Sequence, residues 1–175
     1  AIRMLRSVTL SAALAFDAPT ELYFNGFSLG GDTLDRIIEV SYAVGGATAF
    51  TMYGANVLQN KAGAESAIYV GGAASIKFDS QSANKVTSSG KYGILSEASL
   101  DISKLNVTCE NGTAIYCKKD LQVADSTITG KLGAIEINGA NVILSVKNSS
   151  LVAEEAGILA GLGVIEATVN GGEIR

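Results

Sequence analysis

The sequence predicts an all-β fold, a right-handed parallel β-helix (β-solenoid) with three short strands in each coil of about 20 to 26 residues. Three observations carry this prediction. An isoleucine-centred segment recurs along the chain, each copy is followed by two further pieces with the i, i+2 spacing of strands, and the joints between pieces are rich in Gly and Asn.

The recurring segment reads Ser66-Ala67-Ile68-Tyr69-Val70, Tyr92-Gly93-Ile94-Leu95-Ser96, Thr113-Ala114-Ile115-Tyr116-Cys117, Gly133-Ala134-Ile135-Glu136-Ile137 and Ala156-Gly157-Ile158-Leu159-Ala160, its isoleucines separated by 26, 21, 20 and 23 residues. The second strand carries Ile76 and Phe78, then Leu100 and Ile102, Leu121 and Val123, Leu144 and Val146, Ala167 and Val169. The third carries Val86, Val107, Ile128, Leu151 and Ile174. A helix would need an apolar stripe at i, i+3, i+4, and no such stripe runs through these pieces. A unit this short cannot bury its apolar residues alone, but stacked on copies of itself it places Ile on Ile and Val on Val. The small residues Ala67, Gly93, Ala114, Ala134 and Gly157, and the pairs Asn25-Gly26, Asn111-Gly112, Asn138-Gly139 and Asn170-Gly171, fit corners that need positive φ or close backbone approach.

Upstream the pattern continues through Ile38 and Val40, Phe50 and Met52, and Val57 or Leu58, preceded by Leu22 to Leu29 as one more strand and turn. Residues 1–36 are expected to hold an amino-terminal edge strand or cap and a first coil, and residues 37–175 the stacked coils, all as one domain. Arg3 and Arg6 ahead of Val8 to Phe16 have the outline of a secretory signal, yet Val8, Leu10, Leu14 and Phe16 alternate as a strand does, which favours an edge strand. The uncharged run Val40 to Asn60 has a spanning length, but Gly45, Gly46, Thr48, Thr51 and Gln59 among others make it too polar for a bilayer centre.

Composition narrows function. The chain has 175 residues, 13 basic against 17 acidic for a net charge of −4, and no block of like charge, so nucleic acid is a poor partner. Hydrophobic residues at 47% exclude disorder. There is no His, which removes the commonest general base and zinc ligand, and neither a metal nor another cofactor is expected.

Coils such as Leu121-Gln122-Val123-Ala124-Asp125-Ser126-Thr127-Ile128-Thr129, with the opening segment Leu22 to Leu29, resemble the β-helix repeats of bacterial cell-surface and secreted proteins, whose architecture is shared with pectate-lyase-like enzymes. The resemblance spans about 140 residues. It implies a secreted or surface location and a role in polysaccharide or protein binding and adhesion; a fold does not by itself fix a function.

Polysaccharide-cleaving members of this architecture use clustered Asp residues and an Arg or Lys base. Here Asp101 is followed in its column by Gln122, Ser145 and Thr168, Asp125 by Asn148 and Gly171, and Arg occurs only at positions 3, 6, 36 and 175. The chain is therefore expected not to be an enzyme, a degenerate lyase or hydrolase being the remote alternative. Asp120, Asp125, Glu154 and Glu155 are weighed as a loose calcium site against plain solvated corner charge, which is favoured. Cys109 and Cys117 fall on inward positions separated by one corner. A disulfide across it would agree with an extracellular home, while two small core residues are the plainer reading.

The candidate ligand face is the outward column Tyr69, Leu95, Tyr116, Glu136, Leu159, in which Tyr69, Leu95, Tyr116 and Leu159 form an apolar, partly aromatic stripe fit for stacking on sugar rings or anchoring a protein, unless the amino-terminal segment covers it. Outward Thr87, Thr108 and Thr129 make a second column, too short to suggest an ice-binding face. The alternative function is a structural subunit that assembles head to tail through uncapped solenoid ends, Gly171 to Arg175 closing on a bare strand.

Overall fold

The chain forms a parallel β-solenoid of about seven turns with three strands per coil, seen in a computed structural model that describes residues 1–41, 49–72, 74–161 and 164–175. The first coil is β1 (Ile2–Arg3), β2 (Val8–Thr9) and β3 (Leu14–Phe16), and the second β4 (Glu21–Tyr23), β5 (Leu29–Gly31) and β6 (Ile38–Val40). The third is β7 (Phe50–Tyr53), β8 (Asn56–Gln59) and β9 (Ser66–Val70), and the fourth β10 (Ile76–Phe78), β11 (Asn84–Ser88) and β12 (Tyr92–Ser96). The fifth is β13 (Leu100–Ser103), β14 (Leu105–Cys109) and β15 (Thr113–Cys117), and the sixth β16 (Leu121–Ala124), β17 (Thr127–Gly130) and β18 (Gly133–Ile137). In the seventh, β19 (Val142–Ala153) runs through two faces before β20 (Ala156–Ala160), and β21 (Val164–Ile174) begins an eighth.

Every ladder is parallel. The first strands of the coils make face 1, the second strands face 2 and the third strands face 3. Face 1 is broken between β10 and β13, while β19 joins faces 1 and 2 into one sheet at the carboxyl end. The isoleucine column is in register as expected, with Ile68 beside Ile94, Ile94 beside Ile115, Ile115 beside Ile135 and Ile135 beside Ile158. Its first four members are fully buried. The edge-strand expectation for residues 1 to 16 is corrected: Val8 to Phe16 bends between two strands, and residues 1 to 16 supply all three strands of a coil, laid on β4, β5 and β6. No helix is long and apolar enough to cross a membrane among the described residues; the described part of Val40 to Asn60 holds the last residue of β6 and the strands β7 and β8, and Gly45, Gly46 and Thr48 lie outside the described residues.

The corner from face 1 to face 2 has a repeated device. Lys104, Asp125 and Asn148, which follow one another in adjacent coils, all adopt the left-handed region with φ of 50, 49 and 48°. One residue there turns the chain between inward-facing positions. Just past it the coils are bonded by a serine ladder: Leu105 N–H donates to Ser126 Oγ, and Ser126 N–H to Ser149 Oγ, at 3.2 Å each. Buried hydroxyls at a corner thus take up backbone donors that lack a strand partner. The Asn25-Gly26 corner has the expected positive φ at both residues (52 and 81°), whereas Gly112 is required for a different reason: a Cβ there would lie 2.0 Å from the carbonyl oxygen of Lys91.

Candidate functional site

The outward column expected to be a ligand face exists and is in register, Tyr69 beside Leu95, Leu95 beside Tyr116, Tyr116 beside Glu136 and Glu136 beside Leu159. Tyr69, Leu95 and Tyr116 line an open depression of about 490 Å³ on face 3, whose walls come from residues 35 to 118, so no part of residues 1 to 30 covers it. Leu159 lies two coils beyond Tyr116, 38% exposed, and is not part of that depression.

Ion pairs built across coils flank the depression. Arg36, on the chain leading into β6, lays its guanidinium 3.8 Å from the centre of the Tyr69 ring and is held there by Glu65 and by Glu39 at 3.1 Å. One face of Tyr69 is therefore already used. Lys118 donates to Glu97 at 2.6 Å. That bond holds the Glu97 carboxyl below its usual range and raises the ammonium of Lys118. Burial, with the Glu97 carboxylate beside it, pushes the Tyr69 hydroxyl above its ordinary value, so the ring meets a ligand as a neutral phenol.

Two contributors were not foreseen from the sequence. Tyr92 lies in the same strand position as Ser66 and Thr113, and simple alternation from Ile94 places it inside. In the structure its ring packs 4.9 Å from that of Tyr116, with Lys91 5.1 Å away. The reason is the column of small residues. Ala67, Ala114 and Ala134 are fully buried, and a Cβ at Gly93 would point into Val107 of the core at 2.6 Å. Two consecutive residues, Gly93 and Ile94, thus face inward, and the parity upstream of them inverts. Arg36, which the sequence marks only as one of four arginines, reaches across to the Tyr69 ring on face 3.

The remaining candidates are not brought together. Cys109 and Cys117 are both free and buried, so the disulfide weighed above is not formed. Cys109 Sγ approaches Gly90 O at 3.4 Å and Cys117 Sγ approaches Lys119 O at 3.2 Å. Asp120 accepts from the Ile143 amide and Asp125 from Asn148 Nδ2, and among the described residues no three acidic or Cys side chains gather as a metal would need. Asp101 is flanked by Gln122, and Gln122 by Ser145, in the column sought for stacked carboxylates. Thr87, Thr108 and Thr129 do form one outward column, between Leu58 and Val152.

What the depression can do is bind: Leu95 gives an apolar floor, Tyr116 and Tyr92 give rings, and ionic side chains at the rim give hydrogen-bonding groups at fixed spacing. No family model matches the chain, and neither does any curated protein or solved structure.

Proposed function

We propose that the chain is a non-catalytic binding module of a secreted or cell-surface protein, and that face 3 binds a polysaccharide across the depression lined by Tyr69, Leu95 and Tyr116. The observation that carries this reading is the combination of Tyr69, Leu95, Tyr92 and Tyr116 in one open depression of about 490 Å³ with charged groups around it. Sugar rings offer C–H faces to aromatic planes and hydroxyls to such groups, and a rigid row of strands holds these contacts without an ordering cost on the protein side. Tyr116 is the main ring anchor and Tyr69 a side wall, since Arg36 lies on the Tyr69 ring. A protein partner, the other ligand implied by the resemblance to surface β-helix repeats, is the reading that stands if no polysaccharide binds.

The test is affinity electrophoresis through gels carrying different soluble polysaccharides. At least one polymer is expected to retard the chain, and replacing Tyr69 and Tyr116 by Ala should abolish the retardation with an unchanged β-type circular dichroism spectrum. The retarding polymer should gain no new reducing or unsaturated ends on prolonged incubation with calcium. New ends that persist through repurification would make the chain an enzyme.

A further inference from the structure

A second aromatic site lies on face 1, away from the depression on face 3. In three consecutive coils Arg3, Tyr23 and Tyr53 stand in register. The Tyr23 and Tyr53 rings are stacked with centres 4.2 Å apart and planes 2° from parallel, and the Arg3 guanidinium caps the outer side of Tyr23 at 5.1 Å from its centre. Both hydroxyls donate to the Glu21 carboxylate at 3.3 Å. In the fourth coil the place after Tyr53 is taken by Asp79, whose amide donates to Met52 O. The column therefore reads cation, ring, ring, carboxylate.

The charges around the two rings are lopsided. Glu21 and Asp79 form no ion pair among the described residues, and Asp79 spends its oxygens on the Gln81 amide and the Ser82 hydroxyl. The cation on this column is Arg3, and it occupies the far face of Tyr23. Lys77, a second cation near this column, is in register with Thr51 and lines a separate depression with Glu21. Beside Tyr53 a further depression of about 480 Å³ opens, lined by Tyr23, Asn25, Gly26, Gly54, Ser82 and Ala83. The neighbouring Tyr23 hydroxyl, followed by desolvation and the Glu21 charge, pushes the Tyr53 hydroxyl up to about 12, which keeps the ring neutral. A neutral, electron-rich ring beside carboxylates attracts a flat, weakly hydrated cation.

We propose that this corner of face 1 is a docking site for a guanidinium group, an arginine side chain presented by a protein partner, which lies over Tyr53 and pairs with the carboxylate of Asp79 or Glu21. Arg3 on the opposite side of the ring pair is the precedent within the molecule. The site is independent of the polysaccharide reading of face 3, because it shares no residue with that depression.

The experiment is an aromatic ¹H–¹³C NMR titration of the full chain with blocked Gly-Arg-Gly, using blocked Gly-citrulline-Gly as the uncharged isostere. Saturable shifts of the Tyr53 and Tyr23 rings are expected with the arginine peptide, and the citrulline peptide should bind at least about threefold more weakly. Asp79→Asn, which keeps an oxygen for the Ser82 turn, should weaken the arginine peptide by about threefold, and added salt should weaken it further. Tyr53→Leu, with its core methyl resonances unmoved, should leave Tyr23 unshifted. Equal affinity for the two peptides, or a Tyr23 shift that survives Tyr53→Leu, would overturn the proposal.

Discussion

Ile115 sits between Ile94 and Ile135 with none of its surface exposed. Ile115→Asp would set an unpaired carboxylate among methyl groups three coils deep, and a loss of roughly 3 kcal/mol or more is expected in denaturant unfolding. Cys117 gives a pH prediction. Burial, offset in part by the Lys119 amide, raises its thiol from about 9 to about 11. The folded state therefore holds this proton more tightly than the unfolded one, and its contribution to stability is complete below about 9 and declines as pH rises toward about 11. Comparing the chain with Cys117→Ala across that range should show the decline flattened in the variant, and the native thiol should react slowly with alkylating reagents at neutral pH. At this scale the inward residues were legible because alternation and register repeat in every coil. Tyr92 was not, since its orientation depends on the neighbouring Gly93 turning inward, a consequence of how closely two faces approach. Arg36 was not legible either, because its reach across to Tyr69 lies in three-dimensional neighbours 33 residues apart in sequence.

At the scale of elements, the strands were easier to read than the corners. Two-residue periodicity marks a strand in the sequence, but a single residue in the left-handed region carries no such mark when it is Lys104 or Asp125 rather than Gly. For a side chain with no polar group near its backbone, that conformation costs about 1 kcal/mol. Lys104 is exposed at φ of 50°, and its amide donates to Ala124 O, a bond that Gly can keep. Lys104→Gly is accordingly expected to stabilise the fold by roughly 0.5 to 1 kcal/mol, and Lys104→Val to destabilise it by more than that, measured as shifts in denaturant midpoint. The Asn-Gly pairs misled in part. They do mark corners, but Gly112 serves close packing on the coil below it and not positive φ. The amino-terminal strands were legible as alternation and illegible as a coil, because strands of two residues leave too little pattern to separate a bend from a continuous edge strand.

At the scale of the whole molecule, each coil touches its two neighbours, so stability accumulates along the stack from nearest-neighbour contacts. Deleting residues 1 to 16 takes away one entire coil. The rest of the stack should still fold, with a β-type circular dichroism spectrum and a lowered melting temperature, while Leu22, Leu29 and Ile38 become the new apolar edge. The three faces differ in what they present: a ring pair among carboxylates on face 1, a row of threonines on face 2, and an aromatic depression ringed by ion pairs on face 3. That the third of these is the ligand face is tested most directly by hydroxyl-radical footprinting of the chain with and without the polysaccharide that retards it. Labelling of Tyr116 should fall sharply at saturation while Tyr23 and Tyr53 are labelled as before; an unchanged Tyr116, or protection confined to Tyr23 and Tyr53, would contradict it.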